Sequence, residues 1–139
     1  MDLTTIFVLA AVVVFGGLLL ALITLTKRGM RPLDVTKFRI KWLAVEQQCI
    51  EGNIPSYQLA VLNADKLVDQ ALREKGIQGQ TMADRLKASA HLYSDRNAIW
   101  TAHKLRNKIA HESDFLISYR DTRTALSGFK RALKDIGAI

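Results

Sequence analysis

LTTIFVLAAVVVFGGLLLALITLT, residues 3–26, decides the layout of this chain. The run contains no charged residue. As a helix rising about 1.5 Å per residue it reaches roughly 36 Å, more than the ~30 Å hydrocarbon core of a bilayer. Gly16 and Gly17 interrupt it, which membrane helices tolerate and which favours close helix packing. A cleaved signal peptide fits less well, because Asp2 stands in front, the apolar core is too long, and Lys27-Arg28 occupies the place of a small-residue cleavage site. A buried core helix would need a polar face, and none exists. The expectation is an all-α chain, with a single transmembrane anchor over residues 1–28 and a small antiparallel helical bundle over residues 29–139.

Charge sets the expected orientation. Lys27, Arg28 and Arg31 follow the apolar run, then Lys37, Arg39 and Lys41, against Asp34 alone, while the other end offers only Asp2. The positive-inside rule places the bundle in the cytoplasm and the N-terminus outside, in an inner or plasma membrane. The same cluster suits anionic lipid head groups, at about 1 kcal/mol per cation near the surface. A net charge of +7 calls for an anionic partner, lipid or nucleic acid, without choosing between them. With one cysteine no internal disulfide forms, so a reducing compartment suffices, and Cys49 reads as a small buried hydrophobe.

Beyond Gly29 and Pro32 the apolar residues recur at helical spacing. Asp34 is a candidate N-cap for a helix carrying Val35, Phe38, Trp42, Val45 and Cys49 and ending before Gly52. Ser56 is the expected cap of the next helix, whose stripe runs Tyr57, Ala60, Val61, Ala64, Leu67, Val68, Ala71, Leu72 and stops at Gly76. Thr81 with Asp84 resembles a capping box for a shorter helix from Met82 to about Leu92. Ser94 or Asp95 caps a helix to about Glu112. A last helix near Ser118 to Asp135 buries Ala125, Leu126, Phe129, Ala132, Leu133 and Ile136, with Gly137 as its stop. No alternating β-type run occurs, so about five soluble helices form a bundle with short connections.

All three histidines lie between positions 91 and 111, and the third closes Arg106-Asn107-Lys108-Ile109-Ala110-His111. This block resembles the motif of the HEPN superfamily, small helical domains in which an Arg is followed by a His after four to six residues, often with a polar residue beside the Arg. Arg85 to His91 and Arg96 to His103 also satisfy the spacing. Arg106 to His111 stands out through Asn107 in the polar slot and its place in the penultimate helix. The resemblance covers roughly residues 50 to 139 and implies a metal-independent endoribonuclease of toxin or defence type. In such an enzyme the RNA 2′-hydroxyl attacks the neighbouring phosphate. It further implies no cofactor, a homodimer with a shared cleft, and an antitoxin partner of unspecified identity. His111 would be the acid/base, Arg106 the phosphorane stabiliser and Asn107 the orienting group. These types suit the chemistry, since imidazole exchanges protons in the physiological range and guanidinium grips phosphate bidentately.

Helix geometry adds a constraint. At about 100° per residue Arg106 and His111 diverge by roughly 140°, whereas His103, Asn107 and His111 share one side. A site completed by a second protomer resolves this and brings in His103 as a further candidate. Lys104, Lys108, Arg120, Arg123, Lys130, Arg131 and Lys134 offer a basic rim for an RNA backbone, and Trp100 and Tyr119 either stack bases or fill the core. Three other readings compete. Arg106 pairs with Glu112 or Asp114 while His111 stabilises the helix C-terminus, so that the domain is a non-catalytic membrane-tethered adaptor. His103 and His111 bind a metal, although i+8 spacing separates them by roughly 12 Å and no carboxylate lies between. The span is itself a pore, although no polar stripe lines it.

Overall fold

A computed structural model describes residues 2–26 and 29–139, and the chain divides into two units, Met1–Met30 and Arg31–Ile139. Lys27 and Arg28 of the basic cluster lie outside the described residues.

The first unit is α1, Leu3–Thr26, a continuous helix through Gly16 and Gly17. Its side chains are exposed from Leu3 to Thr24, and this stretch is long and apolar enough to cross a membrane. Thr24 returns its hydroxyl proton to the carbonyls of Leu20 and Ala21, both at 2.9 Å, so its polar atom is satisfied within the helix.

The second unit is built from five helices among the described residues: α2 (Val35–Gln48), α3 (Ile54–Lys75), α4 (Met82–Ala88), α5 (Arg96–His111) and α6 (Tyr119–Asp135). A single 3₁₀ turn, Ala90–Leu92, lies between α4 and α5. No strand occurs among the described residues. α3 is the central helix and packs against α2, α5 and α6, while α5 and α6 pack on each other. The stripes read from the sequence point inward except at the ends of the first: Phe38, Trp42 and Val45 of α2 are buried, whereas Val35, in the solvated first turn, is exposed and Cys49, beyond the helix end, is half-buried. The Tyr57-to-Leu72 series of α3 and Ala125, Leu126, Phe129, Ala132 and Leu133 of α6 all turn to the core. Phe38, Leu72, Ile99, Phe129 and Leu133 are fully buried, each stabilising by about 1.5–3 kcal/mol through area removed from water. Gly128 permits the close crossing of α6 over α5, since a Cβ there would stand 2.8 Å from the Ala98 carbonyl oxygen.

The helix ends follow local chemistry. Asp34 caps α2 and Asp95 caps α5, and Thr81 and Asp84 form a reciprocal capping box on α4. Gly76 ends α3 in the left-handed conformation at φ 90°, and Gly137 follows α6 at φ 78°.

Three expectations are corrected. The cap of α3 is Asn53, whose side chain accepts from the Ser56 amide, so that Ser56 sits inside the first turn. α2 ends at Gln48, before Gly52 as expected but short of Cys49 of its stripe, because Ser56 Oγ and Tyr57 Oη take the Ile50 and Gly52 amides and fold the chain into a loop. α4 stops at Ala88 because the Ser89 hydroxyl turns back onto the Arg85 carbonyl at 2.7 Å, and the chain continues as the 3₁₀ turn.

Candidate functional site

On α3 the apolar stripe is broken by one carboxylate. Asp65 lies beside Ala64 and one turn from Val61, so the helix carries it inward, where it is 4% exposed. A buried carboxylate needs partners, and α5 provides them. His103 Nδ1 stands 2.7 Å from Asp65 Oδ1, and His103 is itself buried. Arg106, one turn further along α5, brings Nε to 3.3 Å from Asp65 Oδ2, an ion pair in which the N–H is not aligned for a hydrogen bond.

Asn107 closes the cluster. Arg106 Nη1 donates to Asn107 Oδ1 at 3.0 Å, which leaves Asn107 Nδ2 facing His103 Nε2 at 3.4 Å. A carboxylate can only accept, so the His103 Nδ1–H points to Asp65, and Nε2 is the ring nitrogen on the Asn107 side. At 3.4 Å the Asn107 contact is weak. The His103 and Trp100 rings form a T-shaped pair, centroids 6.0 Å apart and planes at 78°.

These side chains line a cleft of about 600 Å³ between α3, α5 and the start of α4. Lys66, Arg73, Arg85 and Arg106 face Asp65 and Asp69 in its wall, an excess of positive charge suited to an anion. Arg85 is structural: buried, it binds Asp69 at 2.6 Å and donates to the Gly79 carbonyl. Arg73, largely exposed, shares Asp69 at 2.9 Å and keeps the rest of its guanidinium toward solvent.

The sequence candidates are thus divided. His103, Arg106 and Asn107 converge in the cleft. His111 is the last residue of α5, exposed and outside the cleft lining. Lys104, Lys108 and Arg120 are exposed and also outside it; Lys108 lies over the Phe115 ring at 5.8 Å. Arg106 pairs with Asp65 rather than with Glu112 or Asp114. Trp100 is half-buried against His103, and Tyr119 packs on Tyr57 at 5.6 Å. Arg31 is exposed, and its amide donates to the Lys75 carbonyl at 3.0 Å. Among the described residues no three His, Cys, Asp or Glu side chains stand together as a metal-ligand group.

Asp65 is the site residue that sequence reasoning missed. The signal was a carboxylate in register with Val61 and Val68, where the stripe calls for an apolar residue.

The chain matches no protein-family model, no curated protein and no solved structure.

Proposed function

We propose that this chain is a membrane-anchored, metal-independent endoribonuclease of the HEPN type, with α1 as the span and the bundle on the cytoplasmic side. The observation that carries the reading is the buried Asp65–His103 pair at 2.7 Å, which leaves His103 Nε2 toward a cationic cleft beside Arg106 and Asn107. In transphosphorylation the RNA 2′-oxygen attacks phosphorus and its proton passes to His103 Nε2, where Asp65 stabilises the resulting imidazolium. Arg106 holds the non-bridging phosphate oxygens as charge accumulates on them. The bond from phosphorus to the 5′-oxygen then breaks, and that oxygen takes a proton from a general acid. His111, exposed at the end of α5, is assigned this role across a homodimer, in the cleft of the neighbouring protomer. The products are a 2′,3′-cyclic phosphate and a 5′-hydroxyl.

The test is cleavage of RNA by the detergent-solubilised full-length chain in excess chelator, with the new ends identified. Cyclic phosphate ends are expected, with loss of about 100-fold or more in His103→Ala and Arg106→Ala. Chelator-resistant cleavage that survives both substitutions contradicts the assigned site.

A second reading has its own supporting observation. Arg106 and Asn107 are engaged with Asp65 and with each other, so the cluster also ties α5 to α3 as a structural network in a non-catalytic, membrane-tethered adaptor. On that reading no RNA is cut, and the same substitutions lower thermal stability alone.

A further inference from the structure

α2 buries Phe38, Trp42 and Val45, and its opposite side leaves Ile40 63% and Leu43 54% exposed, one turn apart. Next to them a cleft of about 470 Å³ separates α2 from α6, with Arg39, Trp42, Leu43 and Glu46 on one wall and Lys130 and Lys134 on the other. Lys130 is bound to Glu46 at 2.8 Å. Arg39 and Lys134 are exposed and have no ion-pair partner among the described residues. Two exposed aliphatic side chains near these two cations give a surface with both apolar and positively charged contact groups.

We infer that this face of α2, with the Arg39/Lys134 cleft, docks on an anionic phospholipid surface, the cations meeting head-group phosphates and Ile40 and Leu43 entering the acyl boundary. The inference rests on the anchored reading of α1 and extends lipid contact from the basic cluster, of which Arg39 is part, to Lys134 on α6 and to the aliphatic pair Ile40 and Leu43. Lipid is favoured over RNA by the character of the side chains. Bases reward exposed aromatic rings, whereas the one ring here, Trp42, is 3% exposed, and the exposed groups are aliphatic.

The experiment uses the full-length chain with Cys49→Ser and Leu43→Cys, a nitroxide on the introduced thiol, and vesicles of phosphatidylcholine with or without phosphatidylglycerol. Flotation and alkaline extraction report the anchor; collision with oxygen or with a water-soluble nickel chelate reports the environment of position 43. The expected result is extraction-resistant flotation on both vesicles. Phosphatidylglycerol should also bring a loss of chelate accessibility and a gain of oxygen accessibility, both reversed by Arg39→Gln with Lys134→Gln. Flotation with a label open to the chelate on both vesicles overturns the docking and leaves the anchor standing. Flotation on phosphatidylglycerol alone, removed by alkali with the label in lipid, supports the docking and rejects the anchor. A label shielded from both quenchers and broadened by a neighbouring label assigns the face to a second copy and overturns the inference. So does a cation pair whose loss weakens RNA cleavage while leaving the label unmoved. No flotation on either vesicle overturns docking and anchor together.

Discussion

Asp65 Oδ1 accepts the Nδ1 proton of His103 across 2.7 Å, with both side chains buried and 38 positions apart in the chain. The pair sets which imidazole nitrogen is free, and it does so from a helix other than the one carrying the histidine. Asp65→Asn keeps the shape and a hydrogen-bond acceptor but removes the charge that stabilises His103 once protonated. The expected outcome is a fall of at least about 10-fold in kcat, with KM little changed. Steady-state cleavage by the full-length variant, beside its thermal unfolding, checks this. A drop in unfolding temperature with unchanged kcat would assign the pair to structure instead.

Arg106 shares Asp65 and stands at the cleft mouth, so its charge, more than its bulk, is what the proposed chemistry uses. Arg106→Lys retains the charge and loses the bidentate fork, and is expected to keep more activity than Arg106→Ala but less than the native chain. Cleavage rates of the three forms at one ionic strength test the order.

Gly128 is where α6 comes closest to α5. Gly128→Ala places a methyl 2.8 Å from the Ala98 carbonyl oxygen and forces the helices apart, at a cost of about 1–3 kcal/mol. The movement also shifts α5, so thermal unfolding and cleavage should fall together. An unchanged midpoint in a calorimetric scan would show that the crossing relaxes freely.

Lys37 Nζ donates to Glu74 Oε1 at 2.6 Å and links α2 to α3. The Lys37 bond, aided by Gln70, holds the Glu74 carboxyl below its usual 4.5. Because the folded-state value is the depressed one, the link stabilises fully above about 4.5 and is lost as the pH falls through that lower value. Glu74→Gln should therefore lower the unfolding temperature near neutrality and match the native chain at the acid end. Parallel melting curves from about pH 7 down to about pH 3, across ordinary carboxylate ionisation, follow the convergence.

Much of this architecture was legible because it repeats locally. The stripes read as core faces are core faces apart from Val35 at the start of α2, since burial of Phe38, Leu72 or Phe129 depends only on apolar residues recurring at helical spacing. Caps were legible where a single side chain competes for the first turn, as at Asp34 and Thr81, and misread where several do. Around Asn53 and Ser56 both hydroxyl and amide can cap, and the choice falls to Asn53 because Ser56 Oγ is drawn to the Ile50 amide and carbonyl. Asn53→Ala should thus cost about 1 kcal/mol of stability through loss of the cap. The candidate site was legible in half. Arg106, Asn107 and His103 share one helix and could be weighed by spacing, but their convergence depends on Asp65, which belongs to a helix that only the tertiary fold brings beside them. His111 reads as part of the same motif, yet the turn of α5 carries it out of the cleft to an exposed helix end.

That separation makes complementation the most direct test of the proposed enzyme. If each site takes His103 from one protomer and His111 from its partner, His103→Ala and His111→Ala are each inactive alone. Co-expression of the two then yields mixed dimers with one intact site, so the preparation should recover about one quarter of the native RNA-cleaving rate. A co-expressed preparation as inactive as either parent, or a His111→Ala chain that cleaves at the native rate, would contradict the shared site.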